Sequence, residues 1–136
     1  MKYKVQEISI PRLKNDYLTD YRHVRFENEK DWTYMALDCF KGCSELYLGE
    51  NVDAEIKSMR DYNPMLLVKE GWCYFEYICV SGHNDGPKDD GVQYYIYDFY
   101  REGEKDEGVP YSQVFVRSKE LFDVGESYVI CYKKVE

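Results

Sequence analysis

The chain has 136 residues, 44% of them hydrophobic, and a formal net charge of −8. That composition excludes a disordered polyelectrolyte and supplies enough apolar side chain for one core without disulfide or metal staples. The charge argues against non-specific binding to nucleic acid or to an anionic membrane, and it is unevenly spread. Residues 1–30 carry 7 basic against 5 acidic side chains, residues 31–136 carry 11 against 21, and the stretch 84–108 alone carries 3 against 8.

In chain order, residues 3–10 read as an opening strand closed by Pro11. The segment 12–26 spaces Leu13, Tyr17, Tyr21 and Val24 as on a short amphipathic helix. Residues 32–40 predict a largely buried strand. In 52–59 the alternation of Val52, Ala54 and Ile56 favours a strand over a helix. Residues 65–68, MLLV, predict a short apolar strand.

Two nine-residue runs, WCYFEYICV (72–80) and VQYYIYDFY (92–100), are rich in aromatic and β-branched residues, which favour strands. SGHNDGPKDDG (81–91) joins them, and the combination predicts a β-hairpin. Residues 111–116 and 127–135 predict the last two strands, with a single helical turn over SKELF (118–122). A faint internal echo links SELYLGEN (44–51) to SKELFDVGES (118–127). It reads either as a duplicated small barrel or as the chance recurrence of Gly-Glu turns before strands. The whole predicts a single domain over 1–136. It is mainly β, a twisted antiparallel sheet or partly open OB-like or SH3-like barrel with one or two short helices.

Pairing Val80 with Val92 across the hairpin sorts its side chains. Cys73, Phe75, Tyr77, Cys79, Tyr95, Tyr97 and Phe99 form an uncharged core face. Trp72, Tyr74, Glu76, Ile78, Val80, Val92, Tyr94, Ile96, Asp98 and Tyr100 form the other. Burying Glu76 and Asp98 without partners is costly, so the second face is at least partly wet. An exposed apolar patch of that size points to a partner.

The 81–91 loop, with His83, Asp85, Asp89 and Asp90, lacks the ligand spacing of a calcium loop and has too few ligands for zinc. It reads as a solvated hairpin tip, and no metal or cofactor is expected. Asp20 and His23 can pair on a helix, but no nucleophile accompanies them and no catalytic motif appears. The chain is therefore not read as an enzyme.

The five cysteines include a C-x3-C at Cys39 and Cys43 with no second pair to complete a zinc site. The N-terminus lacks the continuous apolar run of a signal peptide, and no stretch approaches the ~20 apolar residues of a membrane span. Reduced thiols, a cytoplasmic location and no membrane association are expected.

These readings converge on a protein-binding module that docks through Trp72, Tyr74, Glu76, Ile78, Tyr94, Asp98 and Tyr100. The expected partner is a protein with a basic surface, and a homo-oligomer through the same face is a variant of that reading. An acidic inhibitor of the immunity or anti-defence type is one form it takes. The alternative is a single-stranded nucleic-acid binder using Arg12, Lys14, Tyr17, Tyr21, Arg22 and Arg25, where aromatic and basic side chains interleave. A third is an enzyme or small-ligand pocket without a recognisable motif.

Overall fold

The computed structural model describes residues 1–9, 21–40, 46–101 and 113–136, with the main chain alone at 21, 22 and 38–40. Eight strands run as β1 (Lys2–Ser9), β2 (Tyr21–Glu27), β3 (Tyr34–Phe40), β4 (Asn51–Ser58), β5 (Cys73–Pro87), β6 (Gln93–Arg101), β7 (Gln113–Ser118) and β8 (Ser127–Val135), with helix α1 (Pro64–Lys69) between β4 and β5. They close into an antiparallel barrel in the order β1-β2-β3-β7-β6-β5-β8-β4. The fold is mainly β as predicted, and the barrel is closed rather than partly open. Closure removes the free sheet edges that an open barrel of this aromatic content would expose.

Alternation along each strand fills the interior. Val5, Phe26, Leu37, Val52, Phe99, Val114 and Ile130 are all at most 2% exposed and belong to one cluster. Strand β8 is buried on both faces, Tyr128 to Tyr132 without a break. The reason is topological. β4 and β5 flank β8, so the connection carrying α1 crosses the outside of β8. There Leu67 packs on Val129 and Cys131, with Met59, Tyr62, Trp72 and Tyr74 around them.

Residues 65–68 are helical, which corrects the strand predicted there. Asn63 is the cause. Its side chain accepts from the Met65 and Leu66 amides, and Pro64 occupies the first turn, where its missing N–H costs nothing. Residues 21–26 lie in strand β2, not on a helix, because they complete the barrel against β1 and β3. The rest of that predicted helix, with Arg12, Lys14 and Tyr17, lies outside the described residues. Residues 119–126 form a loop with a turn at Val124-Gly125 in place of the predicted helical turn.

The hairpin of β5 and β6 has a different register from the one predicted. Phe99 pairs with Cys79 rather than Cys73, six residues further along, and strand pairing runs on through Ser81 to Pro87. The tip contracts to 88–92. A slip by an even number leaves every side chain on its predicted face. Cys73, Tyr77, Cys79, Tyr97 and Phe99 are indeed buried.

Cysteine redox state also departs from expectation. Cys79 and Cys131 are free and buried, but Cys73 is disulfide-bonded. Reduced thiols therefore no longer argue for a cytoplasmic location.

The strand registers reveal an internal twofold relation. The barrel divides into β4-β1-β2-β3 and β8-β5-β6-β7, so that the third strands meet each other and the fourth strands meet each other. In the first half the Gly49 amide donates to the Val5 carbonyl, and the Val5 amide to that of Glu50. In the second half the Gly125 amide donates to the Cys79 carbonyl, and the Cys79 amide to that of Glu126. A register shift follows both Val5 and Cys79. Gly49 and Gly125 both sit at positive φ, +83° and +93°, where a side chain would be strained.

Across the next strands Val5 faces Phe26 and Phe26 faces Met35, as Cys79 faces Phe99 and Phe99 faces Val114. Ala36 is then the counterpart of Phe115, and Glu55 of Cys131. Each of these counterpart pairs is itself directly opposed across a seam between the halves, as a twofold axis through both seams requires. The Gly-Glu turns of the sequence echo are therefore equivalent in space. Upstream the echo slips by one residue: the inward counterparts are the buried Leu46 and the partly buried Phe122, while Tyr47 and Leu121 are exposed.

Candidate protein interface

The predicted docking face divides into three parts. Trp72, Tyr74 and Glu76 border α1. Trp72 is half-buried; its indole N–H donates to Glu70 at 3.2 Å and Lys133 lies 4.5 Å above its ring. Tyr74 packs with Tyr62, whose hydroxyl donates to Glu76 at 2.6 Å. Ile78, Asp98 and Tyr100 stand on the open outer wall of β5 and β6.

Tyr94 is fully buried, which corrects its place among accessible anchors. It lies on the outer side of β6 but is covered by its neighbours at the end of the barrel. Its hydroxyl donates to Asp90 at 2.7 Å and accepts from the Trp32 amide at 3.4 Å.

The open wall has a defined grid. Its rows run Ile78–Tyr100–Gln113, Ser81–Asp98–Phe115 and His83–Ile96–Arg117 across β5, β6 and β7. Ala36 and Tyr34 of β3 extend the last two rows. Phe115 is 37% exposed, and Ile78, Ile96 and Tyr100 are partly exposed. Asp98, at the centre, accepts hydrogen bonds from the neutral side chains of Ser81 at 2.9 Å and Gln113 at 3.4 Å. Its charge thus sits at the middle of the wall with no cation bonded to it in these contacts, between Ile96 and Tyr100 on its own strand and opposite Phe115.

The twofold relation supplies an internal control. The matching rows of the first half are Lys4–Glu27–Tyr34 and Glu7–Arg25–Ala36. These positions carry an ordinary solvated salt-bridge lattice: Arg25 pairs with Glu7 and Glu27 at 3.3 Å, and Lys4 with Glu29 at 3.0 Å. One backbone framework thus carries Lys4, Glu7, Glu27 and Arg25 in ion pairs on one side and Ile78, Tyr100 and Phe115 around Asp98 on the other, with Arg117 at the edge of the second wall.

Two carboxylates of the acidic loop, Asp85 and Asp90, are engaged in contacts within this end of the wall. Asp85 pairs with Lys88 at 2.8 Å and with Arg117 at 3.8 Å. The hydrogen bond from Tyr94 and the Val92 amide hold the Asp90 carboxyl below its ordinary value. Asp31 nearby is also held low. Burial alone pushes it up, but hydrogen bonds from Thr33 and Lys119 outweigh that. Arg117 lies 4.6 Å from the Tyr34 ring and 5.5 Å from the Trp32 ring, tying this end of the wall together. Among the described residues no cluster of three or more His, Cys, Asp or Glu is placed to hold a metal ion.

Of the basic N-terminal candidates, Tyr21, Arg22 and Arg25 lie on β2. Arg25 spends its charge on Glu7 and Glu27. The sequence reading missed Phe115, and also Met65, Leu66 and Val68, which α1 presents to solvent at 82%, 49% and 66% exposure. Phe115 was legible in part, since it stands between the inward Val114 and Val116. The α1 trio was hidden by the wrong assignment of 65–68.

The fold and this wall define a small closed β-barrel with one chemically differentiated side. No family model matches the chain, and no curated protein matches it in sequence. Among the described residues no helix is long and apolar enough to cross a membrane.

Proposed function

We propose that this protein is a binding module for another protein, and that the outer wall of β5, β6 and β7 is its docking surface. The observation that carries the reading is the contrast between the two walls. Where the second half sets Ile78 and Tyr100 beside Asp98, the equivalent positions of the first half hold Lys4, Glu27 and Arg25 in solvated ion pairs, and where it sets Phe115 the first half has Ala36. Stability alone gives no reason for that difference, because both walls face outward. Aromatic anchors around a carboxylate match the anatomy of a binding hot spot.

Asp98 at the centre and a net charge of −8 favour a partner with a basic surface. An inhibitor that occupies a basic site by its charge is the form of this function that the composition favours. Tyr74 and Glu76 on β5, with Trp72 just before it, extend the contact toward α1.

The test is capture of partners by the tagged protein and by Phe115→Asp, each with and without nuclease. A partner protein retained by the wild type after nuclease, and lost with Phe115→Asp while the variant stays folded, supports the reading. A partner retained equally by both, or one that disappears with nuclease, overturns it.

A further inference from the structure

We propose that the end of the barrel closed by the loop 119–126 is a gated binding site for a small planar aromatic molecule, with the Phe122 ring as its displaceable stopper. The Phe122 ring sits in a cage of three others, 5.0 Å from Tyr97, 5.7 Å from Phe99 and 5.3 Å from Tyr128, all edge-to-face. Such a cage favours another ring over an aliphatic group, because edge-to-face pairs add to plain area burial.

The loop is fixed to β5 at its far end by the backbone bonds of Gly125 and Glu126 with Cys79, while the part around Phe122 is tied through polar tips. The Tyr97 hydroxyl donates to the Glu120 carbonyl at 3.0 Å and accepts from the Phe122 amide at 3.2 Å. The Tyr128 hydroxyl accepts from the Asp123 amide at 2.8 Å. On either side Leu121 and Val124 are 76% and 59% exposed, so Phe122 is the loop's one apolar anchor in the core. A solvent-open cleft of about 270 Å³ abuts the stopper; Phe122, Met1, Ala54 and Ile56 form its apolar wall, and Glu55, Ser118 and Glu120 complete the lining. A ligand therefore has a waiting volume beside the ring it must replace. Swinging Phe122 out frees two phenol groups that can hydrogen-bond a polar substituent on the incoming ring.

The other half of the barrel again serves as the control. There the counterpart of Phe122 is Leu46, 2% exposed, and the cage positions hold Val24, Phe26 and Val52 in place of Tyr97, Phe99 and Tyr128. A plain aliphatic plug suffices to close that half. The aromatic, hydroxyl-latched version is thus a differentiation beyond closure, and it is independent of the protein-binding wall.

The experiment uses indole and p-cresol as probes, titrated into the wild type, Phe122→Ala and Tyr97→Phe, with binding read by calorimetry and by shifts of the Tyr128 ring resonances. The wild type is expected to bind weakly, because the closed state dominates. Phe122→Ala is expected to bind about tenfold more tightly or better, since its cage is already vacant. Tyr97→Phe keeps the core ring but unlatches the loop, and is expected to fall between the two, which keeps the test decisive if Phe122→Ala does not fold. The proposal is overturned if the folded wild type and Tyr97→Phe bind neither probe at millimolar concentration. It is equally overturned if binding leaves the Tyr128 ring unshifted.

Discussion

Leu67→Ala probes how the long connection between β4 and β5 is held. Leu67 is 5% exposed and is the buried side chain of α1; it covers Val129 and Cys131 on the outside of β8. Leucine-to-alanine changes in cores cost about 2–5 kcal/mol. Here the surrounding Met59, Tyr62, Trp72 and Tyr74 are only partly buried and can settle into the space, so the loss belongs at the low end, about 2–3 kcal/mol. Urea unfolding followed by tryptophan fluorescence measures it, with Met65→Ala as the control. Met65 is 82% exposed, and its loss is expected within about 0.5 kcal/mol of zero.

A second reading comes from Cys131. Burial pushes its thiol up to about 11, so it is both shielded and poorly ionised at neutral pH. Loosening α1 in Leu67→Ala is expected to speed its labelling by a thiol reagent. A loss below about 0.5 kcal/mol, or unchanged Cys131 labelling, would show that the connection does not depend on this contact.

Other predictions follow from the same geometry. A Cβ on Gly82 would lie 2.8 Å from the Tyr97 ring, so Gly82→Ala is expected to cost about 1–3 kcal/mol in denaturant and to disturb the Tyr97 ring signals. Tyr94→Phe removes the buried hydroxyl between Asp90 and the Trp32 amide; a loss of about 1–2 kcal/mol with altered Trp32 emission is expected. The lowered carboxyl of Asp31 contributes stability above its ordinary pKa and loses it as pH falls through the lowered value, so Asp31→Asn should flatten the acid limb of a stability–pH curve. Cys131 has the opposite sign. Its stabilisation is complete below the ordinary value of 9.0 and is lost as pH rises through about 11, so Cys131→Ala should flatten the alkaline limb over that window.

The face of each strand was legible in the sequence, and register was not. Period-two alternation sorted Cys73, Tyr77, Cys79, Tyr97 and Phe99 inward and Ile78, Asp98 and Tyr100 outward. It is blind to an even slip, and six residues of slip went unseen because Ser81–Pro87 reads as turn chemistry yet pairs with β6. Helix α1 was hidden because MLLV suits either structure; only Asn63 and Pro64 carried the helix signal, and they also read as a stop. The Gly-Glu turns announced the twofold relation because positive φ restricts the residue there. Its other counterparts, such as Val24 with Tyr97 or Arg25 with Asp98, share an environment and not an identity, so no sequence echo marks them. Tyr94 shows the remaining gap: alternation places it outward, while the adjoining hairpin tip at Asp90 and a loop distant in sequence at Trp32 close over it.

The wall contrast makes the central claim testable at single positions. A photo-crosslinking residue placed at Tyr100, and separately at its first-half counterpart Glu27, reports which wall meets a partner in cells. The docking account predicts a specific protein adduct from position 100 and none from position 27. Adducts of equal yield from both positions, or an adduct from position 27 alone, would contradict it.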